Sequence, residues 1–540
     1  MTGSSKPCDK LTDDQELCAR LRDFQSTIHE AELVSQDMTE LVELMRSEHL
    51  DPSAYLLVNN LKTNIIHIRE LFGESSDLVI RELKVGNLDA SLVLFNEMVD
   101  KKYLQQFIIS PLQQFVGTPI EGDLTGLLRN KLLAAHAMEE EDQMVNLVQK
   151  LAGGSAVLFV DGYAAAYTIE SQGWPYRSIS ESTNETSVRG SKESLVEALN
   201  VNISMLRRRC ADPNLIVTVY QIGEMVRTPL AVAYVRGIVD PKLVEELQQR
   251  LKKINMDYFI DTAQIEALIE DDPNSLFPQL ENTERPDKII AALLEGRIAL
   301  IMDGTPTALI LPAVLATFYQ ATDDYSERWI PASMIRFTRV LSTFISLLLP
   351  AFYIALVSFH PGMLPTPLAL TIAKDRMGLP FPTWLEALIM ETTLEILQEA
   401  GLRLPKPIGP TIGIVGGLVI GDSAVRAGLI SPAMVVVIAF TAIASHSLPS
   451  YSLALTLRLL RLPMIFAAAT FGLFGLTMAV MLLFGHVVKL TSFGKPYLSS
   501  IAPLKLSDLK DVFIRVHFKF MQSRPEFLDT LYKRKRARKD

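Results

Sequence analysis

Hydrophobic positions are unevenly spread along this chain of 540 residues. Val340 to Phe359 is a run of twenty residues without a charge, enough for a helix to cross a bilayer. Ala427 to Leu448 and Pro463 to Val488 are comparable, each with a lone histidine, His446 and His486. A shorter uncharged stretch, Pro407 to Gly421, holds five glycines. Residues 1–330 contain nothing of that kind. Their nearest approach, Gly304 to Thr322, is polar at both ends and is broken by Pro306 and Pro312. The apolar part of it, Thr307 to Tyr319, reads as a buried strand or helix. The pattern predicts a large water-soluble head followed by an all-α, polytopic membrane domain.

Within the head the pattern repeats. Ala90-Ser-Leu-Val-Leu-Phe, followed by Val99-Asp100, matches Leu230-Ala-Val-Ala-Tyr-Val, followed by Val239-Asp240, at an offset of 140 residues. Gly154-Ser-Ala-Val-Leu-Phe-Val-Asp161-Gly162 matches Gly296-Arg-Ile-Ala-Leu-Ile-Met-Asp303-Gly304 at an offset of 142. Two matches at nearly one offset mark a duplicated unit. Each copy reads as a buried strand, an amphipathic helix, then two strands joined at an Asp-Gly turn, a strong hairpin signal. The hairpins are expected over 156–169 and 298–311. The predicted organisation is a polar helical segment over 1–54, α/β subdomains over 55–200 and 201–330, a transmembrane helical domain over 331–490 and a basic tail over 491–540.

Charge sharpens this division. Residues 331–540 carry 22 Lys and Arg against 11 Asp and Glu, whereas the whole chain has 52 against 61, which leaves 30 against 50 for residues 1–330. An acidic head argues against nucleic acid as a partner, because neutralising phosphates needs a basic surface. Six of the seven residues from Lys533 to Lys539 are Lys or Arg, a cluster that favours the cytoplasmic face of a membrane. Met1 to Ser35 has no apolar core of a signal peptide, so head and tail are both expected in the cytosol. Both ends on one side require an even number of crossings; three spans are clear, and 381–400 or 407–421 is the candidate for a fourth. Cys8, Cys18 and Cys210 are too scattered for a disulfide framework or a metal site.

A series of short motifs runs through the chain. Gly173-Trp-Pro-Tyr-Arg177, Glu181-Ser-Thr-Asn-Glu185 and Arg189-Gly-Ser-Lys-Glu193 lie between the subdomains, followed by Asn200, Asn202 and Arg207-Arg208-Arg209. Farther on come Glu295 to Pro306, Pro380-Phe-Pro382 with Glu386, Glu395 to Arg403, Gly416 to Gly421, Ala427 to Pro432 and Ser492-Phe-Gly-Lys-Pro-Tyr-Leu498. In this order and spacing they resemble the A subunits of the GerA family of spore germination receptors, from about residue 55 to the Arg-Pro pair at 524–525. The resemblance implies an integral protein of the inner spore membrane that works with a transporter-like B subunit and a lipoprotein C subunit. It also implies a homo-oligomer that conducts monovalent cations when a nutrient is sensed. A related branch, resembling the stage V sporulation AF protein, amplifies ion release instead. The chain departs from the family where relatives read Glu-Pro…Arg-Gly-Pro-Arg-Glu-Gly-Phe. It has Ser182, Ser191, Lys192, Ser194 and Leu195 there, and losing two prolines and a glycine is expected to loosen this connection.

Two groups of residues carry candidate chemistry. Arg177, Glu181, Glu185, Arg189, Glu193, Asn202, Arg207 and Arg208 form a dense polar segment beside the subdomain boundary. It reads either as an ion-pair network coupling subdomains or protomers, or as a solvated face. Phe381 to Ala400 has helical periodicity with Glu386, Glu391, Glu395 and Glu399. At 100° per residue the last three fall within about 80° of one another, and Glu386 lies on the opposite face. Carboxylates in or against a bilayer must meet water, a partner or an ion path, so Glu386, Glu391 and Glu395 are candidates for a cation path. The alternative is a wet interfacial face paired with Arg403 and Lys406. Asp422 and Arg426 are spaced to pair on one helix. No nucleophile elbow, P-loop or metal-binding His motif occurs, so neither an enzyme nor a cofactor is expected.

Overall fold

A computed structural model of the chain describes residues 50–535, apart from 74, 119–123, 129–137, 175–184, 186–188, 404–416, 418, 420 and 506. The polar segment expected before residue 50 and most of the glycine-rich stretch at 407–421 lie outside the described residues.

The head contains two five-stranded antiparallel sheets of identical strand order. In the first, β1 (Leu78–Val85), β2 (Leu88–Phe95), β3 (Met138–Glu141), β4 (Ala156–Val160) and β5 (Ala166–Ile169) are arranged β1-β2-β4-β5-β3. In the second, β6 (Leu215–Ile222), β7 (Thr228–Val235), β8 (Glu281–Thr283), β9 (Ile298–Met302) and β10 (Ala308–Leu311) follow the order β6-β7-β9-β10-β8. Register is repeated too: Ala90 lies opposite Val160, and Leu230 opposite Met302.

Helices cover both faces. In the first copy these are α1 (Leu61–Phe72), a helical stretch α2 over 101–114, and α3 (Met144–Ala152). In the second they are α4 (Leu199–Arg209), α5 (Pro241–Lys253), α6 (Thr262–Ile269) and α7 (Pro286–Glu295). The second sheet packs Val232, Leu300 and Leu309 against α5 and α6, and Ala231, Ile301 and Ile310 against α4 and α7. With both faces buried, the central strands are continuous apolar runs rather than alternating ones. Asp100 and Asp240 cap α2 and α5 from equivalent positions, Asp100 accepting from Lys102 and Tyr103 N–H and Asp240 from Lys242 N–H.

The two Asp-Gly hairpins form, with loops longer than the two-residue turn that an Asp-Gly pair favours. Each loop is five residues long, 161–165 and 303–307, and in each the glycine alone takes positive φ (89° at both Gly162 and Gly304). The aspartate serves another purpose: Asp161 accepts the N–H of Leu61 and Asp303 that of Leu199, both at 3.0 Å. These bonds pin the start of α1 and α4 to the hairpin of the same copy.

After the head come α8 (Trp329–Phe359), α9 (Thr366–Arg376), α10 (Thr383–Arg403), α11 (Pro432–Ser445) and α12 (Tyr451–Lys489). Among the described residues, α8 and α12 are long and apolar enough to cross a membrane. The run expected as a third span, Ala427 to Leu448, yields only the 14 residues of α11, roughly 21 Å against a hydrocarbon core of roughly 30 Å. Helix α12 is interrupted at Gly472 (φ 60°, ψ −139°). Its two arms run antiparallel. Near one end Thr456 donates to Leu276 O (2.5 Å), and near the other His486 meets Ser275 (2.9 Å), so both ends sit against one head loop. Gly472 lies against Phe359, at the far end of α8. Helix α10 starts at that far end, where Thr383 bonds Ser358, and comes back to Gln398 beside Arg458. Helix α11 likewise starts far from the head, with Ser431 on Glu386. The helical region is therefore a bundle of antiparallel passes. Its near end packs on the second subdomain through Phe277, Phe318 and Tyr497.

The basic C-terminal segment is part of the head. Phe493 enters the core under α5, with Arg250 at 4.1 Å over its ring. Phe527 and Leu528 pack on Val314 and Ala316. Lys535, in the cluster expected at the cytoplasmic face, pairs with Glu295 at 3.0 Å, and residues 536–540 lie outside the described ones.

Candidate coupling network and ion path

The polar segment between the subdomains separates into three arrangements. Arg207, on α4, is buried and bridges the two copies. Its Nε and Nη2 donate to Asp77 at 2.8 and 2.9 Å, Nη2 also to Ser75 Oγ (2.6 Å), and Nη1 to Leu215 O (2.6 Å). The guanidinium also lies 4.4 Å from the centre of the Phe95 ring. Such a fork satisfies a buried carboxylate from both sides, which an ammonium group does not. The segment at 75–76 extends the open edge of the second sheet. Ser76 N–H donates to Val217 O (2.8 Å), and the N–H groups of Val217 and Val219 donate to the hydroxyls of Ser75 and Ser76. Arg236, at the end of β7, caps α1 by donating to the carbonyls of Glu70 and Leu71.

Asn202 has a local role. Its amide accepts from Val196 N–H (2.9 Å) and donates to Val196 O (2.6 Å), clamping the entry to α4. Asn64 holds Val58 in the same two-bond clamp at the entry to α1. The shared pattern is Val-x-x-Leu-x-x-Asn, at Val58 and again at Val196, a repeat signal present in the sequence that the longer apolar matches overshadowed.

Glu185, Glu193 and Arg208 tie the connecting segment to the second subdomain. Glu185 accepts from Lys288 (3.1 Å) and Thr283 (2.5 Å), while Lys288 also pairs with Glu281 (2.9 Å). Burial alone would lower the Lys288 pKa, but Glu281 and Glu185 outweigh it and raise it. Glu193 sits between Arg208 and Arg209. Burial would raise its pKa, and the two guanidinium groups instead hold it below the usual carboxylate range. Arg189 is exposed, and Arg177 and Glu181 lie outside the described residues. In the described part of this connection, Ser191 O accepts from Arg285, and Ser194 Oγ and Leu195 N–H both donate to Glu284 O, while Ser182 lies outside the described residues.

In the bundle, the acidic residues of α10 occupy three different settings. Glu386 is fully buried at the far end, accepting from Ser431 N–H and Oγ (3.0 and 2.9 Å) and pairing with Arg376 (3.3 Å). Glu391 is buried midway and accepts from Arg461 at 2.6 Å. Arg461 also donates to Ser346 O and Oγ (2.8 and 3.1 Å), joining α8, α10 and α12. Glu395 is exposed and lies 3.4 Å from Arg458. Glu399 pairs with Arg403, and Asp422 with Arg426, as their spacing suggested. The expected stripe is thus divided by its partners. Periodicity placed the carboxylates but gave no sign of Arg461, which lies 70 residues away from Glu391.

A further cluster joins head to bundle. Arg336, fully buried on α8, meets Asp324 (3.1 Å) and Asp511 (2.8 Å), and Arg339 meets Asp324 (2.7 Å). Tyr325 donates to Asp511 (2.7 Å). Burial pushes the Asp511 carboxyl above its ordinary range, and Arg336 only partly offsets that.

The chain matches the family described as Bacillus/Clostridium GerA spore germination protein over residues 66–527. It is 41% identical over 474 residues to spore germination protein KA of Bacillus subtilis (strain 168), covering 87% of each chain. It is 40% identical over 476 residues to spore germination protein GerLA of Bacillus cereus, covering 88% of this chain and 96% of that one. The crystal structure of the N-terminal domain of the A subunit of the Bacillus megaterium spore germinant receptor GerK3 aligns with 48% of this chain and 98% of its own length. That alignment has 30% identity and a TM-score of 0.37. This chain, matched through both its paired α/β head and its helical bundle, belongs to the GerA family of spore germination proteins.

Proposed function

We propose that this protein acts in spore germination as the A-type subunit of a germinant receptor, its helical domain crossing the membrane repeatedly and contributing a gated path for monovalent cations. The reading includes assembly as a homo-oligomer in the inner spore membrane, with head and tail cytosolic. The regulating partners are a transporter-like B subunit and a lipoprotein C subunit. Support comes from the family match, from the two long apolar helices and from the antiparallel passes between them.

The observation that carries the ion-path part is Glu391, a carboxylate buried between apolar helices and neutralised by one arginine. A carboxylate can serve a cation path only if it faces that path without compensation by a fixed cation. With Arg461 seated on Glu391 and Ser346, no such charge is offered, which suits a closed state. A shift that withdraws α12 from α10 would uncover it, and a partner that binds the shifted arrangement more tightly would favour opening. Potassium release from spores tests this. Arg461→Met is expected to leak cations without nutrient, and Glu391→Gln, which leaves Arg461 unpaired, to abolish nutrient-triggered release. Normal release in both variants would favour a second reading, a non-conducting scaffold whose acidic head recruits germination proteins. Slower release for every nutrient when the gene is deleted, with normal onset, would instead indicate an auxiliary amplifier of the stage V sporulation AF type.

A further inference from the structure

The segment 513–520 of the C-terminal tail places four large apolar side chains outward: Phe513 (39% exposed), Ile514 (57%), Phe518 (57%) and Phe520 (67%). A soluble tail would not hold such a patch open without a use for it. The backbone beneath it is firmly fixed. Arg515 is buried and donates to Glu327 O (2.6 Å), its N–H donates to Ser333 Oγ (3.1 Å), and Ser333 Oγ donates back to Arg515 O (3.0 Å). The guanidinium lies 4.4 Å from the centre of the Phe518 ring, holding that ring on the outside. Val516 N–H is bonded to Lys510 O, and Val512 is buried under Phe527 and Leu528.

What covers the patch follows from where it is tied. Ser333 lies in the first turns of α8, whose outer face carries Trp329, Ile330, Met334 and Phe337, all exposed, and continues into Leu341 and Phe344. The charged residues of the same turns, Arg336 and Arg339, face inward to Asp324. The Ser333–Arg515 bonds thus set the patch beside the exposed apolar side chains of α8, at the level where that helix leaves the head. The rim carries exposed Arg328, Lys510 and Lys519 against Glu327. Aromatic rings with cations beside them are the chemistry of a membrane interface, apolar groups reaching the acyl boundary and cations meeting anionic headgroups.

We infer that residues 513–520, with the first turns of α8, form an anchor that sits in the membrane interface and binds anionic lipid. The inference rests on the reading of α8 as a membrane span. Its consequence is that the tail, fixed to both head and lipid, sets how far the head stands from the bilayer.

The test uses the full-length protein in vesicles of phosphatidylcholine with phosphatidylglycerol, with the native cysteines replaced by alanine and one nitroxide label placed at a time. Labels at Ile514→Cys and Phe518→Cys are expected to be reached by oxygen more readily than by a water-soluble nickel chelate. A label at Tyr258→Cys on the head is expected to show the reverse, and one at Phe352→Cys, near the middle of the uncharged run of α8, to be reached almost only by oxygen. Nickel access at 514 and 518 with oxygen access at 352 would overturn the anchor and leave the span standing. Nickel access at 352 would overturn the span itself. Shielding of 514 and 518 from both reagents would mean that a protein partner covers the patch, and would also overturn the anchor. Lys519→Glu, or omission of phosphatidylglycerol, is expected to make the label at 518 shallower; no change would remove the anionic-lipid part of the inference.

Discussion

Arg207 shows how much one side chain can decide in this head. Taking a guanidinium and a carboxylate out of water is costly, and the arrangement stands because the hydrogen bonds to Asp77, Ser75 and Leu215 O use the fork fully. Removing one partner is worse than never having had the pair. Arg207→Ala leaves Asp77 buried and unpaired, and is expected to cost about 3–5 kcal/mol. In the detergent-solubilised protein this should appear as a clear fall in the thermal midpoint, with Arg207→Lys falling between the two. The sequence pointed to this arginine through its dense polar neighbourhood, but not to its partner. Asp77 lies 130 residues earlier in an unremarkable Ser-Ser-Asp stretch, and only the stacking of one copy on the other brings them together. The same holds for Arg461 and Glu391. Charged pairs of this kind are set by tertiary distance, which leaves no periodic trace.

At the scale of elements the duplication was far more legible. Buried strands, their hairpins and the aspartate caps recur at offsets of 140 and 142 because each copy must satisfy the same backbone geometry with the same local chemistry. The copies are not interchangeable at their edges. Ser76 donates to the open edge of the second sheet, whereas the corresponding position of the second copy is Pro213, which has no N–H to give. Stacking by this contact therefore stops at two. The break in α12 was less legible, since an apolar run of 26 residues gives no hint that Gly472 reverses the chain. A Cβ at Gly472 would lie 2.9 Å from Phe359, and φ there is +60°. Gly472→Ala is expected to destabilise the bundle by about 1–3 kcal/mol. A lower thermal midpoint in detergent, with the head's unfolding unchanged, would check this.

For the whole molecule, the division into an acidic head and an apolar bundle could be read from charge and hydropathy. The place of the C-terminal tail could not. Its basic cluster pointed to the cytoplasmic face and left open what it touches; among the described residues Lys495 pairs with Asp240 and Asp529, Lys535 with Glu295, and Asp511 with Arg336. Truncation after residue 505 would strip Asp511 from Arg336 and uncover Val314 and Ala316. It is expected to lower the amount of protein recovered in the membrane fraction, measured by immunoblot against the full-length chain, and to expose the head to limited proteolysis.

The second subdomain holds the bundle at two points: at its entry, through Arg336, and at its exit, where Phe493 and Lys495 follow α12 directly. A body gripped at two separated points cannot swivel freely beneath its handle. Any twist of the second subdomain is delivered to α8 and to the returning arm of α12 as a torque. Arg461, on the first arm of α12 and bonded to Ser346 of α8 and Glu391 of α10, is where that torque would be felt as a change in distance.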